Sequence, residues 1–277
     1  MNIAEFISSA GQALDGITDS PKLDAELLLL EVLGKERSFL YAWPEKELLD
    51  SELEAVQKLL QRRIDGEPIA YILAKRDFWD FSVEVTKATL IPRPETELLV
   101  ELVLQRFDPI GEYEIADLGT GSGILAIALA REFSCSRVSA VDLSPDALEV
   151  AGRNVESMQL PNIDLFCGSW FAPLAGKLFD LIVSNPPYIE DEDNHLNQGD
   201  VRFEPRSALA SGADGLDDIR VIAEHSVNHL RAGGVLAVEH GYLQGEKVRE
   251  IFIAAGLQQV ETMKDLQGHD RVTLGIK

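Results

Sequence analysis

From residue 113 to the end of the chain, short runs rich in β-branched residues alternate with longer amphipathic ones, and this alternation restricts the fold more than any other feature. Strand-like runs fall at 113–118, 137–141, 163–167, 179–184 and 235–239, and helical periodicity falls at 123–131, 145–157, 216–230 and near 246–255. Two more strands are read near 258–262 and 272–276. Strands joined through helices pair side by side only by crossing over the sheet, so the pattern implies an α/β fold with a parallel, doubly wound sheet. Such sheets bind ligands beyond the carboxyl ends of their strands. The residues that follow each strand are therefore the ones to read for chemistry.

Residues 1–75 read differently, as a small helical domain. Pro21 follows Ser20 as a first-turn residue after a cap, and an apolar stretch runs from it to Gly34 as a stop. Ser51-Glu52-Leu53-Glu54 has capping-box spacing, and Leu53, Val56, Leu60 and Ile64 recur at helical intervals before Gly66. Arg62 and Arg63 read as part of its solvated face. Residues 76–93 form a strand-pair linker, carried by Phe78, Trp79, Phe81, Val83 and Val85. Pro92 and Pro94 then punctuate the chain, a helix is read over 95–107, and 94–277 is the main domain.

The chain has 277 residues, with 25 Lys and Arg against 47 Asp and Glu and a net charge of -22. That charge repels phosphate backbones, so a small molecule or a protein fits as partner and direct nucleic-acid binding is not expected. Cys135 and Cys167 are the two cysteines, and neither belongs to a metal-ligand pair. A reducing cytoplasmic compartment is expected, and no metal. The first residues lack the basic and apolar regions of a signal peptide, and the run Leu27-Leu28-Leu29-Leu30 is far too short to span a bilayer, so a soluble protein without membrane attachment is expected.

The loop Gly119-Thr120-Gly121-Ser122-Gly123 follows the first strand of the main domain and precedes a helix. Glycines let a ligand approach the main chain, and the helix start supplies free N–H groups. Other glycine-loop chemistries fail on the letters. A dinucleotide fingerprint needs glycine or alanine where Ile124 stands, and a hydrolase elbow around Ser122 needs glycine at Thr120 and Ile124. No glycine-lysine pair is followed by serine or threonine, which removes the phosphate-binding loop. An adenosine site without pyrophosphate recognition remains. Asp142 ends the second strand about 20 residues past the loop, where a carboxylate accepts from both ribose hydroxyls. As an alternative it caps the helix that begins after Ser144. Asp117, just ahead of the loop, belongs to the same constellation.

The strand at 179–184 runs into Asn185-Pro186-Pro187-Tyr188. Two prolines stiffen the backbone and remove two N–H donors, so the main chain there presents carbonyl oxygens. Asn185 adds a side-chain carbonyl and Tyr188 an aromatic face. These groups match a planar nitrogen carrying two hydrogens: the Asn185 side chain and the Pro186 carbonyl accept its N–H groups and aim its lone pair at an electrophilic methyl carbon. Tyr188 stacks on the planar group or favours a sulfonium cation. In-line positioning supplies roughly 7–11 kcal/mol of such a barrier, so no strong base is required. The bland alternative is an ordinary turn after a strand.

At this motif the chain resembles the HemK/PrmC family of protein-(glutamine-N5) methyltransferases. The resemblance is carried by Arg76-Asp77-Phe78-Trp79, Leu90-Ile91-Pro92-Arg93-Pro94-Glu95-Thr96-Glu97, Asp117-Leu118-Gly119-Thr120-Gly121, Ser184 to Tyr188, Gly199-Asp200-Val201-Arg202-Phe203-Glu204-Pro205, Glu239-His240-Gly241 and Arg271-Val272-Thr273-Leu274-Gly275. It implies a seven-stranded, Rossmann-like class I methyltransferase domain ending in an antiparallel hairpin, with an N-terminal helical domain that helps dock the substrate. The implied substrate is the glutamine of a Gly-Gly-Gln loop in class I peptide chain release factors, and the implied cofactor is S-adenosylmethionine, converted to S-adenosylhomocysteine. By the same resemblance the glycine loop, Asp142, Trp170 and Asn185 line the cofactor site, and Asn185 to Tyr188 hold the glutamine. Ser169 stands where relatives usually carry an aspartate, which shifts more of the adenine contact to Trp170.

Three rival functions follow from the same residues. An exocyclic base amine of DNA offers the same two hydrogens and planar face, but its enzyme needs a basic cleft that this acidity disfavours. A glutamine in a ribosomal protein is the second rival, against which the segment Leu90-Ile91-Pro92-Arg93-Pro94 resembles the release-factor branch more closely. A module that merely binds S-adenosylmethionine is the third, and intact Asn185, Pro186 and Tyr188 speak against it. His225 and His229 lie four apart on one helix but lack a third ligand, so they read as surface or packing residues. Asp191, Glu192 and Asp193 read as a solvated acidic entrance.

Overall fold

Asn2 opens the first helix through a capping box: its side chain accepts the Glu5 N–H, and the Glu5 carboxylate accepts the Asn2 N–H, each at 2.9 Å. The computed structural model describes all residues, 1–277. They divide into two units, Met1–Lys75 with Asn197–Phe203, and Arg76–Leu196 with Glu204–Lys277. The first unit is helical: α1 Ile3–Ala13, α2 Pro21–Leu33, α3 Arg37–Ala42, α4 Asp50–Ile64 and α5 Ile69–Ile72. Its core gathers Ile3, Phe6, Leu28, Leu29, Leu40 and Val56. Burying each large side chain of this kind contributes roughly 1.5–3 kcal/mol.

Two sequence expectations fail here for identifiable reasons. The start of α4 lies one residue before Ser51, with Leu49 at the cap position, and Glu52 rather than Glu54 closes back on it, accepting the Leu49 N–H at 2.8 Å. Glu54 instead pairs with Lys58. Arg63 is not a solvated residue but is only 3% exposed. Its guanidinium donates to Asp24 at 2.8 Å and to Asp200 at 3.0 Å, which is how a buried charge is tolerated.

At the start of the second unit β1, Lys75–Phe78, whose first residue is the last of Met1–Lys75, and β2, Phe81–Glu84, pair as a small separate sheet. The helix read at 95–107 begins as a 3₁₀ turn over Pro94–Thr96 and becomes α6 at Glu97–Arg106. Then β3 Glu114–Leu118, α7 Ile124–Glu132, β4 Arg137–Asp142, α8 Pro145–Ser157, β5 Ile163–Cys167 and β6 Phe179–Ser184 follow close to the pattern read from the letters. The chain continues through α9 Asp217–His229, β7 Leu230–Glu239, α10 Gly245–Ala254, β8 Gln258–Lys264 and β9 Asp270–Ile276. Seven strands form one sheet in the order β5-β4-β3-β6-β7-β9-β8. Five are parallel; β9 inserts between β7 and β8 and runs antiparallel to both. The parallel, doubly wound sheet implied by alternation is thus found in five strands, and the last two form the antiparallel hairpin that the resemblance implied, joined without a helix.

The central strands are buried on both faces, as helix-covered parallel strands must be. Ala116, Leu118, Ile182, Leu236 and Val238 belong to one core with Ile219, Ile222 and Phe252 from the helices. The His229 ring stacks on Phe171 at 4.6 Å between centroids. No helix is long and apolar enough to cross a membrane.

Candidate active site

The chain leaves β3, moves outward through β4 and β5, and returns to the opposite side of β3 as β6. The β3–β6 boundary is therefore the switch point of the sheet, where ligands bind. Leu118, the last residue of β3, pairs with Ser184, the last of β6, so the two loops that follow begin side by side. The Ser184 hydroxyl donates to the Leu118 carbonyl at 2.7 Å across that seam. A cavity of about 650 Å³ opens there, and its wall includes Gly119, Thr120, Gly121, Ser122, Asp142, Trp170, Asn185 and Pro187. Its volume lies within the range of small-molecule sites.

The glycine loop is held from beneath. The Gly119 and Thr120 N–H groups donate to the Val141 carbonyl at 2.8 and 2.9 Å. Gly119 has φ +75, a conformation that disfavours any side chain, and a Cβ there would come into van der Waals contact with the Trp170 ring at 3.4 Å. Gly123 serves another purpose. It has φ +88 but is buried against Ala151 of α8 and Ile127 of α7, and it is not on the cavity wall. Trp170 itself takes φ +45, a strained conformation for a bulky residue, held by its packing against the core. Ser169 lies beside it on the wall.

Asp142 accepts the Gly121 N–H at 2.8 Å with one oxygen and the Ser144 N–H at 2.9 Å with the other. It does not cap α8; the Ser144 hydroxyl does, accepting the Ala147 N–H. A carboxylate has about four acceptor sites, so Asp142 keeps capacity toward the cavity after fixing the loop. Asp117 is placed otherwise. Fully buried and off the cavity wall, it accepts from the Thr120 hydroxyl at 2.6 Å and the Ala126 N–H at 3.1 Å. Burial pushes its carboxyl up to about 7, and one of its oxygens has no partner. Its influence on the cavity passes through Thr120.

On the other side of the seam, Asn185 lines the cavity and donates its amide nitrogen to the Thr96 hydroxyl oxygen at 3.0 Å. Pro186 is buried and, like Tyr188, is not on the cavity wall. The Tyr188 hydroxyl donates to Glu239 at 3.3 Å, its backbone carbonyl accepts from Gln244, and its ring packs on the core. Burial and the Glu239 carboxylate raise the Tyr188 pKa, so it stays a neutral phenol. Burial likewise pushes Glu239 up to about 7, against hydrogen bonds from Thr96 and Tyr188 and the field of Arg271 that favour its charged form.

Two segments match family models: residues 5–73 the PrmC N-terminal domain, and residues 94–205 the methyltransferase small domain. The release factor glutamine methyltransferase of Vibrio cholerae is 52% identical over 93% of this chain and 90% of its own length. The chain belongs to the release factor glutamine methyltransferase family. It is an enzyme, a methyltransferase. The member from Escherichia coli is 49% identical over 93% of each chain. A methyltransferase of Pyrococcus furiosus shares the fold, with a TM-score of 0.55 at 21% identity over 79% of this chain and 98% of that one.

Thr96 and Glu239 meet the Asn-Pro-Pro-Tyr motif only in three dimensions. Both lie in segments that carry the family resemblance, but one threonine and one glutamate far apart in the chain make no spacing signal. The single available hint was polarity: Glu239 ends β7 directly after the buried apolar run Val235–Val238.

Proposed function

We propose that this enzyme transfers a methyl group from S-adenosylmethionine to the side-chain N5 of the glutamine in the Gly-Gly-Gln loop of class I peptide chain release factors. The observation that carries this reading is that Asn185 gives its amide nitrogen to Thr96 and so keeps its carbonyl oxygen for a ligand, in the same cavity as the glycine loop. Pro186 itself is off the cavity wall, between Asn185 and Pro187 that line it, but its carbonyl accepts no hydrogen bond from the chain and is left as a second acceptor for a nitrogen with two hydrogens. The substrate itself is taken from the names of relatives about half identical over nearly the whole chain.

S-adenosylmethionine, when bound, supplies a methyl carbon made electrophilic by its sulfonium. The residues of the cavity fit it: the glycine loop leaves room for its backbone-facing part, Asp142 accepts from ribose hydroxyls, and Trp170 offers a flat apolar face to adenine, with the Ser169 hydroxyl in place of the family's usual carboxylate. On the substrate side the Asn185 oxygen and the Pro186 carbonyl hold the two amide hydrogens and turn the nitrogen lone pair toward the methyl. Pro187 closes the wall beside them. Tyr188, held neutral, serves as an aromatic face behind the site and not as a base. The nitrogen gains a methyl and loses one hydrogen as a proton. A net charge of -22 leaves direct nucleic-acid binding out of this reading, and two unpaired cysteines fit a cytoplasmic enzyme.

Mass spectrometry of purified release factors, after incubation with enzyme and cofactor, tests the proposal. One methyl on the glutamine of the Gly-Gly-Gln loop is expected. Methyl incorporated into ribosomal protein, DNA or RNA at a comparable rate would overturn it.

A further inference from the structure

We infer that Thr96 and Glu239 are positioning residues that set which end of the Asn185 amide faces the substrate, and that the charge on Glu239 sets the direction of this hydrogen-bond chain. The inference rests on the reading of Asn185 as an acceptor for the reacting nitrogen. Thr96 and Glu239 are 0% and 1% exposed, so water does not compete for their hydrogen bonds.

A threonine hydroxyl has one hydrogen to give and two lone pairs to receive. An ionised Glu239 only accepts, so the Thr96 hydrogen points at it. The Thr96 oxygen then receives, and it does so from the Asn185 amide nitrogen at 3.0 Å. The amide is thereby locked with its oxygen toward the cavity, where a glutamine N–H needs an acceptor. Tyr188 supports the same direction by donating to Glu239.

Protonation of Glu239 breaks this logic. A neutral carboxyl donates, the Thr96 hydrogen is released, and the Asn185 amide is free to rotate by half a turn. Its NH₂ then faces the NH₂ of the substrate, two donors with no acceptor between them. Around Glu239 the titratable and charged groups are Tyr188, Arg271 and Glu95, with Arg271 favouring the ionised form and Glu95 opposing it. Burial raises Glu239 to about 7, so the change falls within the working range of pH.

The test uses the full-length enzyme with release factor and S-adenosylmethionine, measuring kcat and KM for both. Thr96→Val keeps the shape and removes the hydroxyl. It should lower kcat about ten- to a hundredfold, the effect of losing one buried hydrogen bond, with KM for the cofactor nearly unchanged. Thr96→Ser should restore most of the loss. Wild-type kcat should fall as pH drops through about 7, and Glu239→Gln, a permanent acceptor toward Thr96, should flatten that profile. Thr96→Val at wild-type kcat, Thr96→Ser as poor as the valine variant, or a Glu239→Gln profile with the wild-type inflection would each overturn the inference. Should Thr96→Val fail to fold, the Glu239→Gln profile decides alone. Asn185→Ala separates the two levels: if it turns over normally, the acceptor reading itself fails, whereas an inactive Asn185→Ala beside a normal Thr96→Val removes only the positioning step.

Discussion

The two loops that leave β3 and β6 start side by side and are built from opposite materials. The glycine loop spends its Gly119, Thr120 and Gly121 N–H groups on Val141 and Asp142, so what it presents is space beside Trp170 and the N–H groups of the helix start that follows it. The Asn-Pro-Pro-Tyr segment lacks two N–H groups and presents carbonyl oxygens on a stiff backbone. Each is nevertheless backed in the same way. Asp117 lies beneath the first and Glu239 behind the second, both buried, both touching a threonine, and each with one oxygen that has no partner. A donor surface suits an anionic or hydroxyl-bearing cofactor, and an acceptor surface suits an amide. The seam between them is where a methyl passes from one to the other.

If this division of labour is right, substitutions on the two sides separate kinetically. Asn185→Ala removes a substrate acceptor, and kcat should fall about a hundredfold, comparable to deleting one preorganised group that acts in a transition state. Cofactor affinity, measured by calorimetry, should stay within about threefold of wild type. Asp142→Ala acts on the other side. It removes the ribose acceptor and releases the Gly121 N–H, so the cofactor Kd should rise about thirtyfold, while kcat at saturating cofactor holds. Gly119→Ala should weaken cofactor binding by about tenfold, since a positive φ costs an alanine roughly 1–2 kcal/mol. An Asn185→Ala defect seen chiefly in cofactor Kd, or an Asp142→Ala defect seen chiefly in kcat, would erase the distinction between the loops.

The donor side was far more legible in the sequence than the supports behind either side. Glycines, the strand before them and the helix after them are local signals, and alternation over 113–184 carried four strands and two helices to within a residue or two of their observed ends. The Asn-Pro-Pro-Tyr segment was legible because its chemistry is contiguous. What periodicity could not carry is pairing between distant segments. Neither the insertion of β9 between β7 and β8 nor the union of Thr96 with Glu239 leaves a trace in spacing; the resemblance alone implied the terminal hairpin. The assignment of Arg63 to a solvated face failed for the same reason, since its partners Asp24 and Asp200 lie at remote positions. Asp117, read with the loop as part of the cofactor site, bonds Thr120 but lies off the cavity wall, because the β4 and β6 strands on either side of β3 bury it, and no local window contains them.

The smallest expected effect concerns the two backing carboxylates and asks whether they are equivalent. Both have folded-state pKa values near 7, above the ordinary 3.8 for Asp117 and 4.5 for Glu239. The sign follows from that: stability from each neutral, buried carboxyl is complete below about pH 4 and is lost as pH rises through 7, by on the order of 3 kcal/mol for each group. Asp117→Asn and Glu239→Gln remove the charge, but each places an NH₂ where one oxygen has no partner, an opposing cost of about 1–3 kcal/mol. The net gain at pH 8 is then about 1 kcal/mol, or a Tm rise of about 2 °C for a chain of this size. At pH 5 the wild-type carboxyls are already neutral, so only the cost remains and the same variants should melt below wild type. A crossing of the melting curves between these pH values is the signature for both residues. If Glu239→Gln crosses and Asp117→Asn does not, Asp117 is ionised in the folded enzyme and the symmetry between the two loops ends at geometry.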